Sequence, residues 1–199
     1  MRRRPTLLTA ALLCAGVALA QASLSHEEFT RRLVAAAVAR SQVKVQYAGE
    51  YVAIPYPGGD VPAGTGACTD EIIRIYRVLG VDLQQEVIED MRQNPGAYSL
   101  HRRPDANIDH RRVPNLMIFF QRHGTKLTTR HNAADYLPGD IVAWELGSGH
   151  THIGMVVDRK PLLGERYEVL HNIGAGPQIE DVLFSFKIIG HYRYYGPSQ

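Results

Sequence analysis

The sequence predicts an α+β domain in which N-terminal helices pack on an antiparallel sheet. Apolar residues recur at helical spacing between Phe29 and Phe120, whereas strand-like runs dominate after the "LPGD" turn at 137–140. Helices first and strands later favour an antiparallel sheet over the alternation that builds a parallel one. About 178 residues follow the N-terminal leader, and no repeat, low-complexity tract or linker divides them, so a single core is expected.

The leader comes first. Arg2, Arg3 and Arg4 precede an apolar run from Leu7 to Ala20 that ends in small residues, the pattern of a secretory signal peptide cleaved after Ala20 or Ala22. The expected division is residues 1–22 as signal and 23–199 as one domain. The apolar run falls short of the roughly 20 residues a membrane span needs, so the expected product is exported, periplasmic and without stable membrane insertion. Cys14 follows Leu13 rather than the Gly or Ala of a lipoprotein site, so no lipid anchor is expected. The leader holds three of the 22 basic residues and none of the 20 acidic ones, and its removal takes the net charge from +2 to −1. Arg102, Arg103, Arg111 and Arg112 form a local basic stretch without interleaved aromatics, which reads as a solvated surface; no nucleic-acid partner is expected.

Ser25 followed by Glu28 is a capping-box pattern, and Phe29, Leu33, Val34 and Ala37 continue it as a helix to about Arg40. "VQYAGEYVAIPY" has strand-like residues, and "PYPGGDVPAGTG" is a loop, because its glycines and prolines forbid regular structure. Ile72, Ile75, Tyr76 and Leu79 then mark a helix that starts at Cys68 and stops at Gly80. A short helix from Leu83 to Met91 ends at "NPG", and "VPNLMIFFQRHG" is another, stopped by Gly124. Between them, residues 94–112 form a loop longer than ordinary connections, the kind that carries function. "IVAWEL", "THIGMVVD", "YEVLHNIG" and "KIIGHYRYY" read as strands.

The loop-to-helix step at Cys68 is where chemistry enters. Once Cys14 leaves with the signal, Cys68 is the lone cysteine, so in an oxidising compartment it has no internal disulfide partner. It is either a small buried hydrophobe or a reactive thiol. A helix N-terminus favours a thiolate and offers unpaired N–H groups to an oxyanion, while Asp70 and Glu71 oppose the thiolate. A base is required, and nine histidines offer candidates. If residues 151–158 and 165–172 pair across "RKPLLG", residue 158 faces 165 and His152 faces His171, with Gly154 leaving room on the same face. A one-residue slip would separate the two rings. A thiol, an imidazole and a third group that sets its tautomer form the general arrangement of nucleophilic catalysis.

The order of Cys at a helix start, "PGD" turn, "HIG" opening a strand and a polar residue on the next strand resembles the NlpC-type papain-like cell-wall cysteine peptidases. "IPYPGGDVPAGTGACTDEIIR", "DANIDHRRVPNL" and "HNIGAGPQIED" resemble the bacterial domain family DUF1287 more closely still, over roughly residues 26–196. The resemblance implies a papain-like fold, Cys68 as nucleophile, His152 as general base and His171 as orienting residue. It places Tyr56, with the Cys68 N–H, at the oxyanion hole, and Asp70 and His150 in the oxyanion and substrate surroundings. Thr69 and Asp70 stand where Ser-Gly follows the cysteine in the NlpC pattern. The implied activity is amide hydrolysis in peptidoglycan stem peptides, with a cell-envelope peptide as partner and no cofactor. The histidine-cysteine pair is expected to hold Cys68 below the ~8.5 of a free thiol.

Two other readings compete. His150 and His152 share a strand face, and His171, His191 or Asp158 would complete a zinc shell, although H-x-H alone is a weak signal. A non-catalytic binding module of the same fold is the other, since fold does not fix function. "HYRYYG" is more simply a closing strand than a ligand platform, and Gly174 and Gly176 lack the strand-to-helix context of a phosphate loop.

Overall fold

The first helix, α1 (His26–Arg40), begins as its sequence requires: the Ser25 hydroxyl accepts the Glu28 N–H at 3.2 Å, satisfying one of the donors a helix start leaves open. The structure, a computed structural model, describes residues 24–147 and 149–197, so the expected signal peptide lies outside the described residues. After α1 the chain makes only a two-residue strand, β1 (Gln46–Tyr47), which pairs in parallel with β2 (Thr65–Gly66). The expected strand over 45–56 is otherwise irregular, broken by Gly49 and Pro55.

Helix α2 (Cys68–Val78) follows β2, with Gly80 past its end at φ +81°, a conformation that costs glycine least. Its buried Ile72, Ile75 and Tyr76 place it against α1 on one side and the sheet on the other. Helix α3 (Leu83–Gln93) is capped by Asp82, whose carboxylate accepts the N–H groups of Gln84 and Gln85. Helix α4 (Val113–His123) starts with Pro114 in its first turn and ends at Gly124, the asymmetry expected of helix ends.

Residues 94–112 are less open than their length suggests. They contain two 3-10 turns, Pro95–Tyr98 and Asp109–Arg111. Asp109 accepts two hydrogen bonds from Arg102 and one from the Asp105 N–H. Asp90 of α3 gathers Arg122, Tyr98 and Asn94. Polar side chains thus do here what backbone ladders do elsewhere.

The sheet runs β3 (Thr125–Lys126), β4 (Ile141–Glu145), β5 (Thr151–Val156), β6 (Val169–His171), β7 (Gln178–Glu180) and β8 (Lys187–Arg193), in spatial order 3-8-4-5-6-7, antiparallel throughout. Alternation along the strands divides the core. Ile141, Ala143, Ile153, Met155 and Leu170 join the helices and Cys68 in the larger cluster, while Val142, Trp144, Val156 and Val169 pack with Tyr136 and Leu183 in a smaller one on the opposite face. The result is an α+β architecture in which the cysteine-bearing helix lies on an antiparallel sheet. Among the described residues no helix is long and apolar enough to cross a membrane.

Candidate active site

Cys68 is the first residue of α2 and is 5 % exposed. Three contacts fix the chain around it. The Asp70 carboxylate accepts the Ala67 N–H at 2.7 Å and receives both forks of the Arg111 guanidinium, at 2.7 and 2.9 Å. Thr69 donates its hydroxyl proton to the Arg111 carbonyl at 2.9 Å. On the other side Asn172, just past β6, donates to the Gly66 carbonyl at 3.2 Å. The Cys68 turn is therefore clamped to the 94–112 segment and to the sheet at once.

The sulfur meets the backbone N–H groups of Ile153 and Thr69, which favour its charged form. Burial outweighs them and pushes the thiol up to about 11, with the Asp70 charge adding to the rise. This reverses the expectation of a depressed thiol: the helix end is dry as well as positive, and desolvation penalises the thiolate more than the donors stabilise it.

Ile153 is the residue after His152, so the thiol abuts the strand segment that carries the candidate base. His152 lies opposite Trp144 in the ladder, with ring centres 5.8 Å apart. Its Nε2 lies 2.9 Å from Nδ1 of His171. Burial pulls His152 down to about 4, and the nearby His171 charge acts the same way. His171 is lowered by burial too, against the opposing pull of Glu180, whose carboxylate Oε2 is 2.8 Å from His171 Nε2. At neutral pH both rings are thus uncharged.

The two histidines meet by a register different from the one the hairpin length suggests. Met155 pairs with Leu170 and Val156 with Val169, two residues away from the expected alignment. The hairpin contributes the Val157 N–H to the Glu168 carbonyl and the Glu168 N–H to the Arg159 carbonyl, so the turn closes later than the loop "RKPLLG" implies. An even slip keeps parity, so His152 and His171 remain on one face as diagonal rather than direct neighbours. The residue that faces His171 is Gly154. A Cβ there would stand 2.8 Å from the Leu170 carbonyl oxygen and 3.2 Å from the His171 Cβ, so glycine is what lets the two strands approach.

The remaining sequence-derived candidates separate. Asp70 is committed to Arg111 and Ala67, so it builds the helix start rather than facing an oxyanion or substrate. Tyr56 lies under the Arg92 guanidinium and accepts its hydrogen bond at 3.2 Å. The tyrosine whose phenol is raised by the Cys68 and Asp70 charges, after burial, is Tyr47, whose strand partner is Gly66. His150 is exposed in the turn between β4 and β5. His191 is buried against Asp140 and the Thr128 carbonyl, and Asp158 borders a cavity with His26 and Arg193. Beyond the His152–His171 contact the zinc set is thus scattered, and among the described residues no group of three or more His, Cys, Asp or Glu side chains is arranged to hold a metal ion. No signal in the sequence marks Tyr47 or Glu180, and strand alternation sets Asn172 aside as facing away from His171, where it in fact ties β6 to the Gly66 carbonyl. The polar residue one position past a candidate histidine was a usable signal for Asn172; a two-residue β1 and a three-residue β7 carried none for the others.

Comparison with known proteins agrees with the sequence resemblance. The chain is 51 % identical over 152 residues to the uncharacterized protein YijF of Escherichia coli (strain K12), covering 75 % of this chain and 74 % of that one. Among solved structures it is similar to NlpC1 from Trichomonas vaginalis, with a TM-score of 0.45 and 17 % identity over 83 % of this chain; it spans 44 % of that chain, less than half. Residues 34–194 match the domain of unknown function DUF1287, and the chain belongs to that family.

Proposed function

We propose that the chain is an exported cysteine amidase or endopeptidase that hydrolyses an amide bond in the stem peptides of peptidoglycan, with Cys68 as nucleophile, His152 as general base and His171 as orienting residue. One observation carries the reading: the buried Cys68 sulfur at the helix start meets the N–H of Ile153, the neighbour of a histidine whose Nε2 is already held by a second histidine. His152 therefore has Nδ1 free to take a proton.

The chemistry follows from that placement. As sulfur bonds to the substrate carbonyl carbon, the thiol proton passes to His152, so thiolate and imidazolium arise together and each offsets the burial penalty of the other. In this reading the backbone N–H groups of Cys68 and Thr69 at the helix start receive the tetrahedral oxyanion. The carbon–nitrogen bond then breaks and His152 gives its proton to the leaving amine; water, deprotonated by His152, attacks the thioester, the carbon–sulfur bond breaks to release the carboxylic acid product, and His152 returns the proton to the Cys68 sulfur. Export and the substrate class rest on the leader pattern and the family resemblance. Incubating the mature protein and its Cys68→Ala variant with purified peptidoglycan fragments tests the reading, because a new amine and a new carboxylate should appear, by mass, only with the thiol present.

The burial of Cys68 and its raised pKa favour a second reading, a binding module that keeps the fold without the reaction. In that case both proteins bind the fragments and neither changes their mass.

A further inference from the structure

We infer that Glu180 is a positioning residue of this site, the terminus of a three-member relay that sets which nitrogen of His152 is free. The inference rests on the proposed roles of Cys68 and His152 and extends them to a residue on a different strand.

Glu180 ends β7, whose register places Gln178 opposite His171 and Glu180 opposite Val169. The Glu180 side chain reaches diagonally back along the ladder, and Oε2 comes to 2.8 Å from His171 Nε2. The adjacent Asp181 is engaged by Arg166, so it does not compete for the ring.

Donor and acceptor roles follow link by link. A carboxylate only accepts, so His171 Nε2 carries the proton. In a neutral imidazole the other nitrogen then accepts, which requires His152 Nε2, 2.9 Å away, to be the donor. With its proton on Nε2, neutral His152 has its lone pair on Nδ1, the nitrogen a base must offer. The opposite tautomer of His171 would donate from Nδ1 to His152 Nε2 and move the His152 proton onto Nδ1, where it blocks proton transfer. Glu180 thus selects the productive pair of tautomers. Once His152 has taken the thiol proton, the same carboxylate stabilises the resulting cation through His171. Because the Glu180 side chain is 43 % exposed, solvent weakens its effect and a substitution leaves the core packing intact.

The test reads the tautomers directly. Nitrogen-15 chemical shifts of the histidine rings are recorded on the mature chain at pH 7 for the parent, Glu180→Ala and the isosteric Glu180→Gln. In the parent, both rings should be protonated at Nε2 alone. Both variants should show His171 mixed or shifted to Nδ1–H, and kcat should fall about tenfold or more, the lower end of what loss of an outer orienting partner costs, with KM changed less than about twofold. Glu180→Asp, which keeps the acceptor, should recover part of the loss. If both variants keep the parent's ring shifts, the relay is wrong. Those shifts need no substrate, so an inactive parent chain would overturn the hydrolase reading and leave the tautomer measurement to decide Glu180.

Discussion

Cys68, His152 and His171 are all nearly closed to solvent, and burial decides their resting charge. It favours the neutral thiol and the neutral rings, so a preformed ion pair is not the ground state, and in the proposed reaction the proton moves as the carbonyl is attacked. Two outcomes follow at this scale. With His152 held near 4 rather than 6.5, it stays unprotonated through mild acid, so kcat/KM should be nearly flat from pH 7 to 5 and fall as pH drops through about 4; a profile failing near 6.5 would show a base that water reaches. In the proposed reaction His171 holds the base and does not meet the substrate, so His171→Ala should lower turnover less than Cys68→Ala or His152→Ala, with near-parent unfolding midpoints for all three in urea. The residue placement was legible in the sequence here, since Cys68 is the first residue of α2 and the His152 and His171 rings meet across β5 and β6, as expected. Their charge states were not, because desolvation depends on what covers the helix end, and Ile153 and the sheet supply that cover.

At the level of elements, the site is the meeting of a helix start with the β5–β6 ladder, and two features hold it. Gly154 lets β6 come close enough for the rings to touch. Gly154→Ala should therefore force the strands apart, costing about 1–3 kcal/mol as overpacking does, and should lower activity more than stability, measured by urea unfolding beside turnover. Asp70 and Arg111 form the buried pair that ties the helix start to the 94–112 segment. Arg111→Ala leaves Asp70 buried without its partner and should cost about 3–5 kcal/mol, whereas a mere surface pair would cost under about 1 kcal/mol. Helices were readable to within two or three residues, because their caps and stripes lie in the local sequence. The hairpin register was off by two, since the turn closes through Glu168 and Arg159 backbone groups that no side-chain pattern reveals. The facing of the histidines survived because an even slip preserves parity.

For the whole molecule, the order of helices then strands was enough to read the α+β architecture, while the short β2, β3 and β7 were invisible to periodicity, and β7 carries Glu180. Burial of the site also sets how the fold responds to pH. A folded-state pKa for His152 below the unfolded 6.5 means that the unfolded chain takes up the proton first; stability present above about pH 6.5 is lost as pH falls through about 4, by up to about 3 kcal/mol at roughly 1.4 kcal/mol per pH unit. Cys68 acts in the opposite direction, with stability present below its ordinary value of 9 and lost as pH rises through about 11. His152→Phe should flatten the acid limb in urea unfolding between pH 4 and 6.5, and an unchanged slope would assign that limb to other groups.

The measurement that reaches the central claim most directly is an intact-mass search for the acyl-enzyme. The mature protein is mixed with stem-peptide fragments, quenched in acid within one turnover and digested. The peptide bearing Cys68 should carry the acyl half of the substrate as a thioester, and the adduct should be absent from Cys68→Ala and strongly reduced in His152→Ala. Cleaved fragments appearing with Cys68→Ala, and no adduct on the parent's Cys68, would contradict the account.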